Sequence, residues 1–470
     1  MRRLLVAALM CACVRNPDTG KLQLDLVPKA QEIQMGQDAK KQVEQEMGLY
    51  HDPKLEPYVA DVGKKMAAQT GTDFPFSYEI VDDASVNAFA LPGGPIFVNR
   101  GLLAYVNSEA ELAAVLGHET GHVVAHHSAN QMSKQELAQL GLAIGSAISP
   151  TIGQLGQVAS AGLQLLFLKY SRDDETQADD LGFRFMTNGG YDPHEMIPLF
   201  KMLDGYSNAM GAGKTPEWAQ THPNPGNRLA ATEERLKTKL KGPTTGLRVA
   251  DDEYVQKTDG LVFGDDPRQG YFKGDEFYHP GLKWQMKFPA GWAHQNTPQA
   301  VAAQSPKKDA ILEVASAGKM SPEEAAQKLF SSQGITMGPP ADVHGAKVAR
   351  AFTAQTQQGN IEGVAAFVPF QGTTYMMIGY TPQGGLATYA GPFGASMGSF
   401  SELKDSSALN AQPARIKAVH VDAPMSVAEF KAKYPSTAKD ATVALINGVE
   451  EGGKIQPGYA KQVVGGVGEQ

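Results

Sequence analysis

The sequence predicts an α+β protein: a mainly helical region with a small sheet whose edge is exposed, then a second α+β region, then a small closing module. Three observations predict it. Helix-start signals and an apolar period surround Gly117-His118-Glu119-Thr120-Gly121-His122. Short strand patterns flank a Pro/Gly turn between residues 76 and 100. After about residue 243 the texture changes to Gly- and Asp-rich connections and short alternating strands. A chain of 470 residues is too long for one core. The expected division is a leader at 1–12, a first domain at 13–245, a linker at 246–269, an α+β domain at 270–405 and a module at 414–465.

In order along the chain, Arg2 and Arg3 precede the apolar run Leu4 to Ala12, which is too short to span a bilayer and reads as an export signal. The only two cysteines, Cys11 and Cys13, lie here, so the exported body has no disulfide to use. Ala12-Cys13 resembles the end of a bacterial lipoprotein signal, with Cys13 as the lipidated residue; plain secretion and a start codon placed too late are the alternatives. Residues 14–28 read as extended and polar, with a turn at Asn16-Pro17-Asp18-Thr19-Gly20. Helices are expected at 29–47 and 54–69, and strands at Phe76 to Val81 and Ile96 to Val98 around Leu91-Pro92-Gly93-Gly94.

Ser108 and Glu111 have capping-box spacing before Leu112, Val115, Leu116, Val123 and Val124, which predicts a helix over 109–127. Residues 137–168 carry no charged side chain; a packed helix pair is the favoured reading, against a mobile lid or a partner surface. A further helix is expected over 174–187, stopped by Gly189-Gly190, and Asp192-Pro193 opens the next with Glu195 three residues on. The second region holds one helical patch, at 321–331. The formal charge of −8 and the lack of a basic stripe exclude nucleic acid as an expected partner.

The chemistry concentrates in the helix at 109–127. His118 and His122, four residues apart, share a face, so both rings can reach one metal ion, with Glu119 at its flank. Zinc protease sites take three protein ligands and leave one position open. A third histidine six residues after the second is excluded, because Ser128 stands there. His126 and His127 would extend along the same helix and read as solvated or as lying behind the ligands. Glu175 is the better candidate. On a helix it shares a seam with Ala178, Asp179 and Gly182, whose small residues permit close approach to the histidine helix. Asp179, one turn on, can then hydrogen-bond a ligand histidine.

His118-Glu119-Thr120-Gly121-His122 followed by Glu175-Thr176-Gln177-Ala178-Asp179 resembles the gluzincin metalloproteases related to HtpX, BepA and the CAAX prenyl endopeptidases. Asn87-Ala88-Phe89-Ala90-Leu91-Pro92-Gly93-Gly94, Thr221-His222-Pro223 with Arg228, and the lipoprotein-like stretch from Asn16-Pro17 to Val27-Pro28 extend the resemblance over about residues 13–240. It implies one Zn2+ per chain held by His118, His122 and Glu175, with Glu119 as general base. It implies that His222 stabilises the oxyanion or occupies the open position at rest, supported by Arg228. Ile96, Phe97 and Val98 would form the edge strand to which an extended or unfolded polypeptide adds. The transmembrane helices of some relatives and the helical repeats that follow the protease in BepA have no counterpart here, so prenylated or integral-membrane substrates and repeat-based partner recognition do not carry over, and the expected membrane contact is a lipid anchor only.

Tyr278 to Trp292 loosely resembles the opening of PsbP/Mog1-like domains, and Ala441 to Val464 resembles the second half of a LysM glycan-binding module. In the latter, Pro424-Met425-Ser426-Val427 departs from the usual first half. The resulting expectation is a periplasmic, outer-membrane-anchored zinc metalloendopeptidase acting on unfolded or misassembled envelope proteins. Outer-membrane assembly machinery and peptidoglycan are its candidate partners. The rival readings are a non-proteolytic chaperone or assembly factor for outer-membrane proteins and a peptidoglycan-binding scaffold with a latent protease.

Overall fold

The structure is a computed structural model that describes residues 13–15, 22–24, 27–133, 170–210, 215–222, 226–356, 359–450 and 452–466. The expected leader at 1–12 and the uncharged segment 137–168 lie outside the described residues. Described residues up to Asp265 and from Pro413 onward form one compact unit, and Asp266–Gln412 belong to a second.

The first unit opens with an antiparallel pair, β1 (Cys13–Arg15) and β2 (Leu22–Leu24). Two helices follow, α1 (Lys29–Glu46) and α2 (Leu55–Ala67). Leu55, Val59, Val62 and Met66 of α2 recur at helical spacing and are all buried. Then come β3 (Ser77–Val81), β4 (Ala88–Ala90) and β5 (Pro95–Asn99).

The strand order is β3-β5-β4, with β5 parallel to β3 and antiparallel to β4. This corrects the expected substrate edge. Ile96, Phe97 and Val98 pair on one side with Tyr78, Glu79 and Ile80 and on the other with Ala90, Phe89 and Ala88. The reason is the reversal at Leu91-Pro92-Gly93-Gly94, where Gly93 adopts φ 71°; it folds the segment before the turn back onto β5 as β4, so β5 is central and β3 and β4 are the outer strands.

Next are α3 (Arg100–Tyr105), α4 (Glu109–Val124), α5 (Arg172–Asn188), α6 (Met196–Ala209), α7 (Glu217–Thr221), α8 (Gly226–Thr238) and α9 (Asp251–Lys257). The stretch expected to be a linker at 246–269 is instead built into the fold. α9 buries Tyr254 and Val255, and β6 (Val262–Phe263) joins a sheet.

The second unit is β-rich. β7 (Tyr271–Lys273), β8 (Glu276–His279) and β9 (Trp284–Lys287) form an antiparallel group closed by β17 (Ser401–Glu402). β10 (Ala293–Asn296), β11 (Ala300–Gln304), β12 (Ile311–Ser316), β13 (Ile335–Pro340), β14 (Val348–Thr356), β15 (Gly359–Phe370) and β16 (Thr373–Pro382) form an antiparallel sheet in the order β10-β11-β12-β16-β15-β14-β13. Alternation along β15 sends Val364, Ala366 and Val368 to one core and Ala365 and Phe367 to another. The first core is shared with α11 (Leu386–Met397) through Phe393 and Met397, and the second with α10 (Pro322–Phe330) through Ala325 and Leu329.

The chain closes with β18 (Ala414–Val421), α12 (Val427–Lys433), α13 (Asp440–Ile446) and β19 (Gly458–Gly465). It does not stand apart as the separate module expected at 414–465. β18 pairs with β6, and Ile416, Val421, Phe430, Val443, Ile446 and Val463 enter the first unit's core. The buried Lys461 Nζ donates to the carbonyls of Ala104 and Val106 and to Asn107 Oδ1, just before α4. A buried ammonium is costly without acceptors, and these supply them. Among the described residues no helix is long and apolar enough to cross a membrane.

Candidate metal centre

All sixteen residues of α4 are buried, as a helix surrounded by other elements requires. Ser108 caps it by accepting from Glu111 N at 3.0 Å. Glu111 does not complete a reciprocal box; its carboxylate accepts from Asn107 N at 2.8 Å instead. Glu109, also buried, accepts from Tyr58 Oη at 2.8 Å and from Tyr191 Oη and Arg248 Nη2, each at 2.6 Å. These bonds pin the start of the helix to α2 and to the bridged segments at Tyr191 and Arg248.

α5 starts from a full capping box at Ser171 and Asp174. It crosses α4 at short range because both contact surfaces are nearly bare. A Cβ on Gly182 would lie 2.9 Å from His118 N, one on Gly121 3.0 Å from Ala178 O, and one on Gly117 3.2 Å from Gly182 O. The expected seam of Ala178 and Gly182 is present on α5, and Gly117 and Gly121 supply its counterpart on α4.

This approach brings four buried side chains together: His118, His122, Glu175 and His222, with one ligand atom from each within 4.8 Å of the others. His118 Nε2 lies 3.0 Å from His122 Nε2 and 3.6 Å from Glu175 Oε2, and His122 Nε2 lies 3.4 Å from Glu175 Oε1. Donors around a tetrahedral zinc stand about 3.3 Å apart, so the set has the right dimensions. The donor types, imidazole and carboxylate, are those zinc takes. Glu175 Oε2 and Glu119 Oε2 are buried without a hydrogen-bond partner, which is costly for carboxylate oxygens unless a cation or a reacting group completes them.

His222 caps the short α7, its N–H donating to Trp218 O at 2.8 Å. That places His222 Nδ1 2.9 Å from Glu175 Oε1 and 3.4 Å from His118 Nε2, while its Nε2 is 3.8 Å from Glu119 Oε1. On the far side of His118, Nδ1 meets Asp179 Oδ1 at 2.9 Å. Arg228 clamps Asp179 through Nε at 3.0 Å and Nη2 at 2.6 Å, its guanidinium stacked over Phe200 at 4.4 Å.

Burial pushes Glu119 above the usual carboxylate range, with His222 and His118 opposing it. Burial would also raise Glu175, but His222 and hydrogen bonds from His122 and His222 hold it well below. His122 is driven well below the usual imidazole range by burial. For His222 burial works downward, and the Glu175 and Glu119 carboxylates outweigh it, so its value rises.

Tyr170 is not visible as a site residue in the sequence, whereas His127 reads there as solvated or as lying behind the ligands. Tyr170 lies flat against His122, ring centroids 4.0 Å apart, and its hydroxyl meets Ser128 Oγ at 3.0 Å. His127, expected to extend along the helix, instead turns back to His122. Beside Glu119 a cavity of about 50 Å³ is lined by apolar side chains including Ala88, Val115, Leu199, Phe200 and Trp218.

Residues 53–236 match the model of Peptidase family M48. Over 237 residues the chain is 30% identical to the beta-barrel assembly-enhancing protease of Yersinia pestis, covering 48% of each protein. Over 210 residues it is 36% identical to the mitochondrial metalloendopeptidase OMA1 of Schizosaccharomyces pombe, covering 44% of this chain and 61% of that one. The chain thus spans less than two thirds of the length of either curated relative. Among solved structures, the Ran-binding protein Mog1p of Saccharomyces cerevisiae matches with a TM-score of 0.22 and 11% identity, covering 29% of this chain and 98% of that one.

Proposed function

We propose, from the premise that residues 53–236 form a Peptidase family M48 domain, that the protein is a zinc metalloendopeptidase that cleaves unfolded or misassembled envelope proteins. The observation that carries this reading is the buried His118, His122, Glu175 and His222 group with Glu119 beside it, whose Oε2 has no hydrogen-bond partner. His118, His122 and Glu175 would hold the zinc, which supplies polarisation of the scissile carbonyl and acidification of the attacking water. Glu119, raised by burial, is suited to take a proton from that water at Oε2 and deliver it to the leaving amine.

The outer edge of β4 is the surface for an extended substrate, because β5 is paired on both sides, Leu49 bridges β3 at Val81, and Ala88 of β4 lines the cavity beside Glu119. Main-chain pairing reads little sequence, which favours unfolded polypeptide. The apolar cavity beside Glu119 then takes a modest apolar side chain next to the scissile bond. His222 is placed with the ligands, which supports a resting role in the position that substrate would occupy.

Export, lipidation at Cys13, a periplasmic location and service to β-barrel assembly rest on the resemblance and on the name of the Yersinia pestis relative. The closing β18-α12-α13-β19 order supports the LysM-like reading of the chain's end, and with it contact with peptidoglycan.

The test compares the purified protein with Glu119→Gln for zinc content and for cleavage of casein. Stoichiometric zinc in both and cleavage by the parent alone is the expected result. Equal cleavage by both refutes the assignment of Glu119. Zinc without cleavage by either, together with suppressed aggregation of an unfolded protein, replaces the peptidase with a chaperone.

A further inference from the structure

His127 is the one buried histidine near the centre that the proposed chemistry does not use, and its surroundings assign it a task. Its Nδ1 lies 2.9 Å from His122 Nδ1, with the two rings 4.9 Å apart and inclined at 73°. Its Nε2 lies 3.3 Å from Gln177 Oε1 and 3.7 Å from Asp174 Oδ1. Gln177 and Asp174 both stand on α5, the helix that supplies Glu175.

A continuous helix would not produce this contact, since residues five apart are separated by about 140° around the axis. α4 ends at Val124 with Ala125 as its cap, and His126 takes φ 55°, a left-handed conformation unusual for a side chain of this size. His126 Nδ1 to Glu32 Oε2 at 2.7 Å and the Phe74 ring at 5.4 Å hold that turn. Residues 127–133 are helical again, so the chain is redirected at one point and His127 faces back to His122.

The protons then have one consistent arrangement. His122 Nε2 faces His118 and Glu175, so its lone pair is free for a metal and its proton sits on Nδ1. Two ring nitrogens at hydrogen-bond distance share a single proton, so His127 Nδ1 accepts. The acceptors Gln177 Oε1 at 3.3 Å and Asp174 Oδ1 at 3.7 Å then place the His127 proton on Nε2.

We propose that His127 is a positioning residue for the metal centre: it fixes the Nδ1–H tautomer and the ring plane of His122, and through Gln177 couples that ligand to the helix carrying Glu175. His118 has an anionic partner, Asp179, that Arg228 neutralises. His122 has no such cation at hand, and Glu119, Glu175 and Asp179 already crowd the site with carboxyl groups. A neutral acceptor orients the ring without adding a further buried charge.

The inference rests on His118, His122 and Glu175 being metal ligands, and its test reads metal retention rather than proteolysis. His127→Phe keeps a ring but offers no acceptor; His127→Gln restores one. Zinc release to a coloured chelator and the visible spectrum of the cobalt-substituted protein are measured for both, with circular dichroism as the check on folding. We expect Phe to speed release about 10- to 100-fold and alter the cobalt bands, and Gln to stay within about threefold of the parent. Parental release from the folded Phe variant overturns the proposal, as does a Gln variant no better than Phe. If Phe does not fold, Gln177→Leu decides: release several-fold faster supports the relay, and parental release overturns it. A parent that holds zinc but cleaves nothing removes the peptidase reading alone, whereas a parent that holds no zinc removes both.

Discussion

Asp179 Oδ1 accepts from His118 Nδ1 at 2.9 Å while Arg228 Nη2 donates to the same oxygen at 2.6 Å. One carboxylate therefore orients the ring of a proposed metal ligand and is itself held in place. Burial works against its ionisation, but the Arg228 guanidinium and the His118 contact keep it low. Asp179→Asn keeps the shape and removes the charge, leaving Arg228 buried beside a neutral amide. Zinc release is expected to quicken by about 10- to 100-fold, with proteolysis falling in step. An Asn variant that retains zinc like the parent would show that Asp179 serves Arg228 alone.

His222 shares Glu175 with His118 and His122, the two histidines proposed as ligands, its Nδ1 at 2.9 Å from Oε1. A side chain so placed competes with substrate for the same position. His222→Ala is expected to cleave casein several-fold faster than the parent at low substrate and to lose zinc somewhat faster. Steady-state rates with zinc in excess check this. A variant slowed by about 100-fold or more would instead place His222 on the developing oxyanion.

Glu109 gives the first unit a defined acid sensitivity. Burial alone would raise its pKa, but hydrogen bonds from Arg248, Tyr191 and Tyr58 bring it down from 4.5 to about 2. Its folded value lies below its unfolded value, so its contribution to stability is complete above the unfolded value and disappears as pH falls through the folded one. Urea midpoints of the parent and Glu109→Gln should therefore differ most above pH 5 and converge towards pH 2. A gap that stays constant across that range would contradict the assignment.

Much of the first unit was legible because its signals are local. The α5 stop at Gly189 follows from a glycine pair and the α4 face from its period, whereas the capping box at Ser171 starts α5 ahead of the expected residue 174. Three features were not legible, each for a tertiary reason. Which strand is outermost cannot be read from β4, whose three residues are all buried and show no alternation. Lys461 reads as an ordinary exposed lysine, and its burial depends on carbonyls more than 350 positions away. The redirection at His126 requires a left-handed residue that is not glycine, a cost met by contacts with Glu32 and Phe74 on distant segments. The site was readable where it follows helix spacing and hidden where separate elements meet.

The closest contact between α4 and α5 sets the last expectation. Gly182 contributes no side chain where its Cβ would stand 2.9 Å from His118 N and 3.2 Å from both Gly117 C and His118 Cα. These are backbone atoms of a fully buried helix, so they cannot swing aside as a flexible side chain would. In an open helix, Gly→Ala would gain about 1 kcal/mol from propensity. Here the methyl must push α5 outward by a few tenths of an ångström, and Glu175 and Asp179 on that helix move with it. Metal geometry tolerates little displacement, so Gly182→Ala should bind zinc several-fold more weakly while its far-UV circular dichroism stays native. The comparison that matters is Ala against the parent, by zinc titration and thermal melting in the same buffer. Unchanged zinc affinity with a higher melting temperature would mean that propensity outweighs the steric term and that the two helices are not held at their limit of approach.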